Sequence, residues 1–130
     1  MPEVKRRARR HWRDYRTAAG GRPVKTFLDA LTDEEVAAIV AGMKEVAALG
    51  LAAARHLQGE IHEVRADAST RSFRLLFSTE GRWSQVLLSL SVFEKRTQKA
   101  PRHEIDLAVR RLADWRRRGA AVRNAKKRKT

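Results

Sequence analysis

The feature that most constrains this chain is a pair of alternating runs, Arg71–Ser78 and Ser84–Lys95, joined by a turn over Glu80–Arg82 with Gly81 at its centre. Period-two alternation predicts two strands of an antiparallel hairpin, each with one apolar face. In the first run Phe73, Leu75 and Phe77 alternate with Ser72, Arg74, Leu76 and Ser78. In the second, Val86, Leu88, Leu90 and Val92 alternate with Gln85, Leu87, Ser89, Ser91, Phe93 and Lys95. A further strand over Glu60–Ala66 precedes them, set apart by the polar turn Asp67–Thr70. An apolar sheet face needs a cover, and the upstream residues supply one. Pro23–Leu31 predicts a short helix with Val24, Phe27, Leu28 and Leu31 on one side. Thr32 then opens a second helix through a T-x-x-E capping box closed by Glu35, with the stripe Val36, Ile39, Val40, Met43, Val46 and Ala47 and a stop at Gly50. His11–Thr17 alternates as an edge strand, and Pro101 opens a last helix whose stripe is Ile105, Ala108, Leu112 and Trp115. The order is β-α-α-β-β-β-α, an α+β domain with a small, antiparallel-rich sheet on a helical hairpin.

Charge divides the chain differently. The net charge is +14, yet Met1–Arg16 hold seven basic and two acidic residues and Arg110–Thr130 hold ten and one. Thr17–Val109 are therefore neutral, and the whole excess sits at the ends. This predicts a disordered basic lead over 1–10, a folded domain over 11–118, and a disordered basic tail over 119–130. The charge points to polyanions. A neutral middle without a recognition-helix pattern disfavours a DNA-binding or nucleoid protein. The absence of cysteine fits a reducing cytosol and excludes thiolate metal sites. Apolar runs read as shorter than the roughly 18 residues of a membrane span. The expectation is a cytoplasmic protein with no membrane partner.

Alternation also fixes where charges point. If Phe73, Leu75, Phe77 and the Val86–Val92 set face the helices, Arg74 and Lys95 face away, with Ser89, Ser91 and Phe93. If Val64 packs inward, Glu63 and Arg65 join them. Open sheet faces are usually polar without function, and Glu63 with Arg65 could form an ion pair of little worth. Two features favour function. Arg74 sits mid-strand among large apolar residues, and the segment Phe93–Pro101 concentrates three cations, Lys95, Arg96 and Lys99, beside that face. Such a cluster suits a phosphate backbone and charge developing on a scissile phosphate.

These residues resemble a known family. Leu57–Arg65 is similar to the "L-x-G-x-I-x-E-L-R" segment of the RelE/HigB toxin superfamily, closest to its phage-derived branch paired with helix-turn-helix antitoxins. Phe73–Phe77 resembles its "F-R-V-L-Y" strand, and Phe93–Pro101 its "F-x-K-K-T-Q-K-T-P" segment. Glu104, Ile105 and Ala108 match its closing helix, and Gly21–Val24 with Phe27 and Leu28 match "G-x-x-P-V" and "F-L". The similarity spans roughly Trp12–Arg117. It implies a type II toxin that enters the ribosomal A site and cleaves mRNA without metal or other cofactor, silenced by a cognate antitoxin. It implies Arg74 as transition-state phosphate ligand, Lys95 as phosphate ligand or proton-transfer partner, and Arg65 third. Arg96, Lys99, Arg102 and Arg71 would hold RNA backbone. Many relatives carry a tyrosine or histidine near the C-terminus, whereas here Tyr15 lies in the first strand. His103 is then the candidate for proton transfer, with His56 and His62 behind it. Glu63 would orient Arg65 or act as base, although an adjacent arginine favours its charged form. Glu94 departs from the family by placing a negative charge beside Lys95. A module that keeps the fold but only binds RNA or an antitoxin is the other reading.

Overall fold

The computed structural model describes residues 9–99 and 101–129. Its elements are β1 (His11–Asp14), α1 (Pro23–Asp29), α2 (Asp33–Leu49), β2 (Arg55–Gln58), β3 (Ile61–Asp67), β4 (Ser72–Glu80), β5 (Val86–Glu94) and α3 (Arg102–Lys129), with a 3-10 turn at Gly50–Ala53. The five strands form one sheet in the order β1-β5-β4-β3-β2. β1 runs parallel to β5, and the remaining pairs are antiparallel. The α+β order expected from pattern is present, with β2 as an added short strand.

Local chemistry explains the helical hairpin. Pro23 starts α1 where a backbone N–H is dispensable. The Thr32 side chain accepts from the Glu35 backbone and Glu35 returns the bond to the Thr32 N–H, so the capping box is complete. α2 ends at Gly50, whose φ of 79° lies in the region that favours glycine. Arg10 donates to the Ala47 carbonyl at that end, where a cation complements the helix dipole. Gly42 lets α2 lie close on β3, because a Cβ there would stand 2.6 Å from Val64 Cγ1. The stretch Asp33–Ala53 is, against expectation, long and apolar enough in composition to suit a membrane span. Surface alanines raise its apolarity, while Ile39, Val46 and Met43 pack onto the sheet.

The sheet is covered on both faces, which corrects the expectation of one open side. Toward the helical hairpin lie Val24, Ile39, Val46, Val64, Phe73, Leu75, Phe77 and Leu87, with Trp12 edge-on to Phe77. Toward α3 lie Tyr15, Ile61, Leu76, Leu88, Leu90 and Phe93, against Ala108 and Leu112. Leu88 and Leu90 therefore face α3 and not the hairpin. The cause is an irregularity in the β4–β5 register, where Leu76 pairs with Ser91 but Phe77 pairs with Ser89. A bulge of this kind reverses the side-chain faces beyond it.

α3 also overruns its expected end. It passes through Gly119 to Lys129, so the basic tail is helical and not disordered. Ala120, Ala121, Arg123, Ala125, Lys126 and Lys127 are strong helix formers except for the single Gly119 before them. Arg116 ties α3 to the sheet through Glu60 at 2.8 Å and Glu80 at 2.7 Å. The lead expected over 1–10 lies, for residues 1–8, outside the described residues.

Candidate active site

Three neighbouring strands and the loop after β5 bring the expected cations to one place. On β3, Arg65 stands opposite Arg74 of β4, and Arg74 stands opposite Phe93 of β5. Lys95 follows two residues after Phe93, so it points to the same side. An open cavity of about 490 Å³ is lined by Arg55, Arg65, Ser72, Arg74, Lys95 and Arg96, with Thr97 and Gln98. Lys95 Nζ donates to the Gln98 carbonyl at 2.8 Å, and Thr97 Oγ1 donates to the Lys99 carbonyl at 2.8 Å, which folds the loop over its own end.

Arg74 is 6% exposed and Glu63 only 2%. The Arg74 Nε lies 3.8 Å from Glu63 Oε1, its Nη1 lies 3.7 Å from Asp67, and the same Nη1 donates to the Phe73 carbonyl at 2.8 Å. Glu63 Oε1 accepts no hydrogen bond among the described residues. One buried carboxylate thus sits amid Arg55, Arg65, Arg74 and Lys95, leaving the site net positive. Lys95 records that field. Partial burial holds its pKa below the ordinary range, Glu63 opposes this, and Arg74, Arg55 and Arg65 add to the lowering. A lysine in such a place gives up a proton more readily than a free one.

The other expected site residues fall at different places. Arg96 lines the cavity and also pairs with Glu94 at 3.0 Å. Glu94 is drawn away from Lys95 by Arg71 at 3.3 Å, so its departure from the family pattern does not load the cavity with negative charge. Arg71 itself is bound by Glu35 at 2.7 Å and lies over the Phe73 ring, where it joins the helical hairpin to the sheet. Its first-named role, RNA contact, has no support in that geometry. Lys99 is exposed on the loop. Arg102 donates to Gln58 at 2.7 Å and pairs with Asp106 at 3.2 Å. His103 is exposed on the first turn of α3, 3.4 Å from Glu104, and is not among the cavity's residues. His62 stacks toward Phe77 and His56, and burial lowers its pKa. Tyr15 is buried and donates to Asp114 at 2.6 Å. Among the described residues, no histidine or tyrosine lines the cavity. Of the two serines expected on the face of Arg74, Ser91 is there but is covered by α3, and Ser89 is on the opposite face. Ser89 bonds Asp14 at 3.0 Å on the hairpin side, and Ser91 bonds Glu104 at 2.6 Å under α3.

Residues 26–113 match the family model described as "Phage derived protein Gp49-like". The chain is also 34% identical over 120 residues to the "Probable endoribonuclease HigB1" of Mycobacterium tuberculosis, in strains CDC 1551 / Oshkosh and ATCC 25618 / H37Rv. That alignment covers 90% of this chain and 94% of each relative. The chain belongs to the phage-derived Gp49-like family. The matched span contains all three central cations, Arg65, Arg74 and Lys95, together with the strands that carry them.

Arg55 is the member of the cavity that sequence reasoning missed. It lies at the start of β2, four residues long and paired in register with Glu63. Arg55-His56-Leu57-Gln58 has an alternation too brief to stand out. Its place on this face follows from the register, because Arg55 stands directly opposite Glu63 and paired residues share a face.

Proposed function

We propose that this chain is the toxin of a type II toxin-antitoxin system, an mRNA endonuclease that works without metal, acts in the ribosomal A site and inhibits translation. The observation that carries this reading is the convergence of Arg65, Arg74 and Lys95 on one open cavity. The relatives named as probable endoribonucleases, aligned over nearly the whole chain, support it. So does the family, whose members the sequence resemblance links to antitoxin partners. The protein acts in the cytoplasm, where its mRNA substrate is.

In the reaction, the RNA 2′-oxygen attacks the adjacent phosphorus and the bond from phosphorus to the 5′-oxygen breaks. A proton leaves the 2′-hydroxyl and another reaches the departing 5′-oxygen. Arg74 and Arg65 neutralise charge that grows on the phosphoryl oxygens, which is worth most where water is partly excluded. Lys95, with its ammonium destabilised by burial and by neighbouring cations, is the side chain of this site that can exchange a proton. Glu63 holds Arg74 from beneath. Arg96, Lys99 and Arg102 contact the RNA backbone at the rim.

A second reading is a module that binds RNA or antitoxin with little catalysis. The observation in its favour is that no histidine or tyrosine among the described residues lines the cavity. Lys95→Ala separates the two, because Lys95 is only partly buried and its loss spares the core. Growth arrest and new transcript 5′ ends on induction of the parent, both lost in Lys95→Ala with antitoxin binding retained, support the nuclease. Unchanged transcript ends in the parent would refute it.

A further inference from the structure

The nuclease reading leaves one guanidinium of the cavity without a role, and its position extends the site. Arg55 is exposed, and its side chain makes no hydrogen bond or ion pair among the described residues. The same is true of Arg65, whereas Arg22, Arg71, Arg102, Arg116 and Arg118 are each bound to carboxylates. Arg55 and Arg65 line not one cavity but two. Beyond the first lies a second, of about 420 Å³, lined also by Gly42, Glu45, Ala52 and Glu63. It exists because β2 is short. Its pairing with β3 stops at Arg55 opposite Glu63, and the preceding Gly50–Ala53 turn leads the chain away to α2.

We propose that the two cavities are consecutive nucleotide subsites of one RNA strand, and that Arg55 and Arg65 grip the phosphate linking them. This rests on the endonuclease reading of the first cavity. Two guanidiniums on a shared wall, neither of them paired with a carboxylate, suit one phosphate, since each presents paired donors to its oxygens. The second cavity suits a base and not a phosphate. The small side chains of Ala52, Ala53 and Ala54 leave a smooth wall, and Glu45 at the rim repels phosphate while accepting from an amino group on a base edge. The subsite therefore favours a base that carries an exocyclic amine.

The test uses a fully 2′-O-methylated RNA oligonucleotide, which has no attacking hydroxyl, titrated by fluorescence anisotropy at several salt concentrations. Arg55→Ala is expected to weaken binding about tenfold and to lower the slope of log K against log salt by about 0.7, the value for one phosphate of a single strand. Arg55→Lys restores part of the affinity. Ala52→Trp fills the second cavity and weakens binding with the slope unchanged. On mRNA-programmed ribosomes the Arg55→Ala deficit falls on the half-saturating concentration, in contrast to Lys95→Ala, which collapses the rate at saturation. Parental affinity and slope in Arg55→Ala, or parental affinity in Ala52→Trp, would overturn the proposal. If the parent binds RNA but cuts none, the nuclease reading falls while the binding titrations still decide the subsites.

Discussion

Replacing Arg74 by methionine keeps most of the side-chain volume and removes the charge that faces Glu63. At 3.8 Å, a pair of unit charges interacts by about 4 kcal/mol at an effective dielectric constant of about 20. Breaking a buried pair leaves an uncompensated ion, which typically costs about 3–5 kcal/mol. Lys95 and Arg65 also stand near Glu63, so the loss is expected near the lower end, about 3 kcal/mol. With a urea slope of about 2 kcal/mol per molar, the unfolding midpoint falls by about 1.5 M. Glu63→Gln alone should cost less, because Arg74 keeps the Phe73 carbonyl and Asp67. In the double variant no buried charge is orphaned, and a coupling energy of about 1–3 kcal/mol should appear. Urea titrations followed by circular dichroism on all four proteins measure the cycle. Additive costs, with the double variant as unstable as the sum of the singles, would refute the claim that Arg74 and Glu63 neutralise each other.

Other outcomes follow from the same structure. Glu35, bound first by Arg71 and then by the Thr32 backbone, is held at about 2, as is Asp114, bound first by Tyr15 and then by Arg118. Both carboxyls are depressed on folding, so their stabilisation is present above the ordinary carboxylate range and is lost as pH falls from about 4.5 toward 2. Glu35→Gln should flatten that acid limb in pH-dependent thermal melts, and an unchanged limb would contradict the assignment. Thr32→Ala removes one half of the capping box and is expected to cost about 1 kcal/mol in urea unfolding, with no loss beyond about 2. Deleting residues 121–130, whose described side chains are exposed, should leave the melting temperature within a few degrees and reduce the salt dependence of ribosome association. An unaltered salt slope would show that the end of α3 touches no RNA.

Much of this protein could be read before any fold was known, because the signals are local. The Thr32–Glu35 box, the Gly50 stop and the alternation through Phe73–Phe77 each involve neighbours a few residues apart. The grouping of Arg65, Arg74 and Lys95 followed from alternation alone, since the register irregularity lies at Leu76/Phe77 and Arg74 is on the side of it nearer Lys95. The same reasoning failed for Leu88, Leu90 and Ser89, which lie beyond that irregularity, where one extra residue exchanges the two faces. Tertiary structure also decided that β1 pairs in parallel with β5, that α3 covers the second face, that Arg71 serves Glu35 and Glu94, and that Arg55 enters the site. None of these is encoded within a few residues. Each depends on which distant element lies alongside, and that is settled by how two apolar faces and their charged neighbours are satisfied together.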